Sequence, residues 1–381
     1  MRNAEGIGLF VFRLCARAGA PVMIGGFMHI PDGYLAPQTT IPVFVGMIPL
    51  WGLALHNAKK VLLNKQIPTL SLCAAFSFVI MMFNVPVAGG SSAHAVGSAL
   101  VAILFGPWPA FIAVSVALLI QALVFADGGI LSFGVNCFNM AFMMPFAAYF
   151  IYKLISGKAA PGSTRSLAAA FVAAYAGINL AAFLTAVELG IQPLLFTGSD
   201  GNPLYCPYPL SISIPAMMAV HLSVAGLLEA FVTSGALAYL SKTSSSLFIR
   251  DMPDDLTGIA AAEEAHATTN KKMSFFRRYR TMLIPLLILV IFTPLGLLAT
   301  GTAWGEWGPE ELQQILGFIP QGFAKIADQY HAFLPDYTLP FGNEESGILQ
   351  VSGYIISALF GMTIIAALIM ASSRIIMRQK K

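Results

Sequence analysis

Nine apolar runs, separated by the few charges the chain possesses, constrain its fold more than any other feature. They break where charge, proline or glycine clusters intervene, and fall at about 41–63, 67–85, 94–106, 109–125, 131–155, 166–191, 211–241, 281–300 and 347–371. A hydrocarbon core about 30 Å thick takes about 20 apolar residues per helical crossing, so the runs predict an all-α polytopic integral membrane protein. Charge scarcity agrees: 21 Lys+Arg and 18 Asp+Glu make up 10% of 381 residues while 57% are hydrophobic, against about 25% charged in soluble domains. Such a surface must face lipid, which excludes a water-soluble globule. Intrinsic disorder and nucleic-acid binding are excluded with it, because both need charge. Cys15, Cys73, Cys137 and Cys206 are widely spaced without a C-x-x-C pair, so neither a zinc ribbon nor a disulfide framework is indicated. Cys73 and Cys137 read as small apolar fillers of membrane helices.

The third and fourth runs are short and meet at Gly106-Pro107-Trp108-Pro109, where two prolines break any continuous helix. They are expected as two helices joined by a tight turn. Orientation follows from the basic residues, which collect on the cytoplasmic side. Lys59, Lys60 and Lys65, then Lys153, Lys158 and Arg165, then the stretch from Lys242 to Arg280, and finally Arg374 to Lys381 fall in alternate connections, while the opposite set holds only Lys325. The start of the first span is therefore expected outside the cytoplasm and the carboxyl terminus inside. Four parts result: an extension over 1–27, a seven-helix block over 28–241, a polar cytoplasmic linker over 242–280, and a two-helix transmembrane hairpin over 281–381 with an extracytoplasmic loop at 301–346. No internal repeat of the kind found in many secondary transporters is visible.

Polar residues in a charge-poor membrane chain are functional suspects. His266 falls in the linker and His331 in the outer loop, where a solvated role suffices, and His56 beside Asn57 reads as a packing or interfacial residue. The topology puts His29 and His94 on one outer face, with His221 about two turns below it in the seventh span. A chain that began at Met28 could chelate one metal through its amine, the His29 amide nitrogen and the His29 Nδ1, in fused five- and six-membered rings. His94 would complete a plane of four nitrogens, which suits Ni(II) or Cu(II), with Co(II) allowed, whereas Zn(II) prefers a tetrahedron. Pro31-Asp32-Gly33 would turn the chain directly behind the chelate.

The segment Met28-His29-Ile30-Pro31-Asp32-Gly33-Tyr34-Leu35 resembles the amino terminus of the substrate-specific membrane components of nickel/cobalt energy-coupling factor importers, the NikM/CbiM family. The resemblance continues through Gly89 to Gly97 around His94, through Ala126-Asp127-Gly128-Gly129 with Gly134, Asn136, Asn139 and Met140, and through Ala219-Val220-His221-Leu222 to Glu229. It covers 28–241, and 281–371, with Pro335-Asp336-Tyr337, looks like the N subunit fused behind. It implies a metal held by the amine of Met28, the amide and imidazole of His29, and His94. Residues 1–27 depart from the pattern, since a peptide bond at Met28 abolishes the amine. They make a poor signal peptide, and are expected to be an upstream start or a segment removed. The resemblance further implies a transmembrane coupling (T) subunit and cytoplasmic ATPases (A subunits) as partners in the cell membrane, with Ala54 and Ala58 as the small-residue contact with the coupling subunit.

Asp127 sits in a glycine-rich turn, either as a turn-former or lining the metal entrance. Asn136 and Asn139 share a helix face and, with Asp32 and His221, are candidates to support the ligands. Glu229, taken as the only acid deep in a span, is expected neutral or bonded to another helix. No G-x-x-x-x-G-K-[ST] occurs, so the chain is not an ATPase or other enzyme and its uptake function needs partners. The expected cargo is Ni(II), with Co(II) the alternative. A secondary metal permease would need intramembrane carboxylates and histidines, and an intramembrane metalloenzyme would need a motif such as H-E-x-x-H. Neither is present.

Overall fold

The computed structural model describes residues 29–62, 66–87, 91–244, 275–299, 306–327, 329–339 and 347–378. Met28 and the extension before it lie outside the described residues, as do His266 and most of the linker. Pro37 opens helix α1 (Pro37–Val61) at a position where a missing N–H is harmless. Ile41, Val45 and Ile48 on α1 are exposed, the apolar face of a helix at the rim of a membrane bundle. Helix α2 (Ile67–Met81) is instead buried along nearly its whole length, because helices from both halves of the chain pack around it.

A two-stranded antiparallel hairpin, β1 (Val85–Val87) and β2 (Ser91–Ala93), pairs Val85 with Ala93 and delivers the chain to His94. The third apolar run, expected as a helix over 94–106, is helical only from Ser98 to Phe105 (α3). Residues 94–97 form neither helix nor strand, and Gly97 adopts a left-handed conformation at φ 73°, which glycine takes without strain. A single residue, Gly106, then turns the chain into α4 (Pro107–Phe125), as the prolines predict.

Helices α5 (Phe133–Ser156), α6 (Thr164–Leu195) and α7 (Leu210–Thr243) complete the first bundle. Three of its helices contain a π-helical turn, at Gln121–Phe125, Cys137–Met143 and His221–Ala225, an irregularity frequent at functional sites. Lys59 and Lys60, Lys153, and Lys242 occupy the last turns of α1, α5 and α7, all at the ends away from His29.

Helices α8 (Phe275–Leu298) and α11 (Gly347–Arg378) form the hairpin. Helix α11 packs on α2 so closely that a Cβ on Gly361 would meet the Phe78 ring at 2.3 Å. Between them the chain folds over the His29 end of the bundle as α9 (Pro309–Leu316), α10 (Gln321–Ala324) and a 3-10 turn at Pro335–Tyr337. Leu334 donates its amide to the Val124 carbonyl at 2.9 Å, and the Tyr330 hydroxyl donates to Leu123 at 2.5 Å. Seven helices among the described residues are long and apolar enough to cross a membrane, with α2 and α3 as shorter members. The protein is a multi-pass membrane protein.

Candidate metal centre

His29 and His94 come together. Their ring centroids are 5.1 Å apart, and both residues are buried, His29 on the segment entering α1 and His94 at the end of the β-hairpin. His94 Nδ1 donates to the Ala95 carbonyl at 3.0 Å, which puts the proton on Nδ1 and makes Nε2 the basic nitrogen of that ring. His29 Nδ1 is hydrogen-bonded to the Asp127 carboxylate. That nitrogen is the one a chelate ring with the His29 amide would use, so metal and Asp127 compete for it.

Asp127 is therefore the acid that addresses the candidate ligands, beyond its place in the turn formed by Ala126 at φ 56° and Gly128 at φ 87°. Its other oxygen accepts from Gln121 Nε2 at 2.9 Å and from the Tyr337 hydroxyl. Burial pushes the Asp127 carboxyl up, but the His29 imidazole and the Tyr337 hydroxyl outweigh it and hold the group at about 2. Tyr337 belongs to the fused hairpin. It stacks on Phe125 at 4.7 Å, and its backbone, like that of Asp336, is left-handed at φ 62° and 49°, a strain that persists only where surroundings enforce it. Sequence reasoning missed both Gln121 and Tyr337 as site residues. Gln121 carried a signal, an amide residue inside an apolar run, and the structure buries it fully.

The segment carrying His29 is clamped to the turn 126–132. Asn136 accepts the Ile30 amide at 2.8 Å and donates to the Ile30 carbonyl at 3.1 Å, pairing with the backbone as a strand would. Asp32 accepts the amides of Ile130 at 2.9 Å and Ser132 at 3.1 Å. Burial moves the Asp32 carboxyl up, against these bonds, which lower it. The close fit demands glycine at 129, where a Cβ would lie 2.1 Å from Asp32 Oδ1. Two of the anticipated supports, Asp32 and Asn136, thus hold the segment that carries the first histidine.

The other polar residues make contacts of their own, and the turn that opens with His221 packs against β2. Asn139 faces α6, donating to Glu188 at 2.6 Å and Thr185 at 3.1 Å, so Glu188 is a second acid within the spans beside Glu229. His221 donates Nδ1 to the Met217 carbonyl of its own helix at 2.8 Å. Glu229 reaches from α7 to cap α3, accepting the Val96 amide at 2.8 Å and the Gly97 amide at 2.9 Å, and so fixes the turn just after His94. Ala54 and Ala58 are buried within this chain, which leaves them no surface for a partner, contrary to expectation. His56 and His331 are exposed. Among the described residues no three His, Cys, Asp or Glu side chains gather as a metal cage, so two imidazoles would need donors of another kind.

Residues 29–247 match the family model described as "Cobalt uptake substrate-specific transmembrane region", and residues 280–378 match a PDGLE domain. The fused nickel transport protein NikMN of Rhodobacter capsulatus is 42% identical over 355 residues, 89% of this chain and 95% of that protein. A cobalt transport protein, CbiM, of Roseiflexus sp. is 39% identical over 145 residues, covering 38% of this chain and 58% of that protein. A crystal structure of a transition metal transporter superposes with TM-score 0.54 at 44% identity, covering 61% of this chain and 97% of that one.

Proposed function

This chain belongs to the cobalt-uptake substrate-specific transmembrane family, with a PDGLE domain fused behind it, and we propose that it captures Ni(II) for an ATP-driven energy-coupling factor importer. The relatives are metal transport proteins, not enzymes. The observation that carries the proposal is the contact of His29 with His94, buried together immediately behind Met28. Two imidazoles supply two nitrogens, and the remaining two are the Met28 amine and the deprotonated His29 amide. Four nitrogens in a plane favour Ni(II), and Co(II) is the alternative cargo. Closing the six-membered ring requires the His29 imidazole to turn about χ2 and exchange Asp127 for the metal.

Metal reaches the site from outside the cytoplasm, loses its water to the nitrogens, and is enclosed by the turn 126–132 and the hairpin loop. The bundle then reorients when the ATP-driven module moves. The coupling membrane subunit and the ATPases are separate partners, since this chain has no phosphate-binding loop. The hairpin stabilises the loaded form through Tyr337, which reaches the site.

The test is nickel affinity of purified protein beginning at Met28, compared with protein carrying residues 1–27. Tight binding in the first and its loss in the second is expected. His94→Ala and His29→Ala should each abolish tight binding, and retained nickel affinity in His94→Ala would remove that residue from the ligand set. Unchanged high-affinity uptake in cells lacking the ATPase and coupling subunits would favour a secondary permease instead.

A further inference from the structure

Beside the histidine pair the hairpin loop and the turn 126–130 face each other across a cleft of about 180 Å³. That is the space taken by about six waters at about 30 Å³ each. Asp32 and Glu306 stand on its walls, and among the described residues none of those lining it is Lys, Arg or His. Glu306 comes from the fused hairpin, and its Oε1 is buried with no hydrogen-bond partner. Burial pushes its carboxyl well up, and the charges of Asp127 and Asp336 push it the same way. Asp32 differs, because amides hold both of its oxygens and keep the side chain fixed in the wall. The cleft is next to the histidines: Gly128 lines it, and a Cβ there would lie 3.5 Å from the His29 Cβ.

We propose that this cleft is a way-station for the hydrated divalent cation, with the Glu306 carboxylate as its oxygen ligand, before the ion passes to His29 and His94. It rests on the reading of those histidines as the capture site. Hard, hydrated dications favour oxygen donors and keep several waters when first bound, which the cleft's size and acidity suit. Transfer to nitrogen ligands follows as the waters leave. The incoming cation favours the ionised form of Glu306, whose proton passes to the cleft water as the ion binds. The hairpin thereby supplies half of an entrance that the seven-helix block alone would leave open.

The experiment is stopped-flow mixing of Ni(II) with full protein beginning at Met28, following quenching of Trp307, which lines the cleft, with Trp307→Phe as the signal control. Glu306→Gln is expected to slow association about 10-fold at low salt. It should slow release equally, because a way-station lies on both paths, leaving equilibrium affinity unchanged. Glu306→Asp, which keeps the charge, should restore most of the rate and shows that the variant folds. An unchanged association rate in Glu306→Gln overturns the proposal. So does a fall in equilibrium affinity like that of His94→Ala, which would make Glu306 a ligand of the capture site itself. His94→Ala should keep the fast, weak quenching phase while losing tight binding. Were it to keep tight binding as well, the capture-site reading would fall, while the Glu306→Gln rates still judge the cleft.

Discussion

Replacing Glu229 tests whether a buried carboxylate sets the geometry of His94. Its oxygens accept the Val96 amide at 2.8 Å, the Gly97 amide at 2.9 and 3.2 Å and the Thr233 hydroxyl at 3.5 Å, and the residue has no solvent exposure. Glu229→Ala leaves two buried amides without an acceptor. Each unsatisfied donor costs about 1–3 kcal/mol, so a loss of about 2–6 kcal/mol is expected. Glu229→Gln retains one carbonyl oxygen, which can take the two short contacts, and loses charge assistance, about half the strength of such bonds. It should therefore cost less than half as much as Glu229→Ala. The turn that these amides belong to carries His94 two residues earlier, and loss of such supporting contacts typically lowers metal affinity about 10- to 100-fold. Denaturant titration in detergent micelles gives the stability, and nickel competition gives the affinity. A Glu229→Ala protein within about 0.5 kcal/mol of the parent, the range of ordinary surface substitutions, refutes the capping argument. Unchanged nickel affinity in a destabilised Glu229→Ala protein refutes the link to His94.

Gly129→Ala should weaken nickel binding at least as far as loss of a supporting contact does, about 10- to 100-fold, because its Cβ would displace Asp32 from the turn; nickel titration reads this. Tyr337→Phe keeps the ring on Phe125 but removes a hydrogen bond to a charged acceptor, and should destabilise the protein by about 1.5–3 kcal/mol. In an Asp127→Ala background the same substitution should cost less, losing only the 3.3 Å bond that the hydroxyl accepts from Gln121 Nε2, a comparison that thermal melting of the four proteins settles.

What the sequence disclosed and what it withheld divide along the distance between partners. Membrane spans and the histidine pair were legible, the spans because their length is set by the bilayer and the pair because charge bias gave the topology. The non-helical stretch before α3 was not, since a short apolar run carries no period that separates helix from other backbone. Its cause lies 133 positions away, in Glu229. Asp127 likewise reads as a turn residue until the fold brings it 98 positions back to His29, and Tyr337 meets it across 210. Ala54 and Ala58 failed for the same reason: small residues at helical spacing fit an internal contact as well as an external one, and only packing decides.

The acids show why this site needs both halves of the chain. Asp32 holds the amides of the turn beside His29, and Glu229 holds those of the turn beside His94. Both carboxylates immobilise backbone, so neither can follow a moving ion. Asp127 is mobile in principle but is tied to the imidazole and to Tyr337, and becomes available only as the metal takes its place. The proposed four nitrogen donors, of which only the amide would lose its proton to become anionic, would leave a dication partly uncompensated, and a net charge is expensive away from water. The released Asp127 carboxylate, held nearby by Tyr337 and Gln121, is the counter-charge available. Under the proposed ligand set, loading and hairpin docking would be coupled through one side chain, and by reciprocity a metal that binds tighter with the hairpin docked must hold the hairpin tighter when bound.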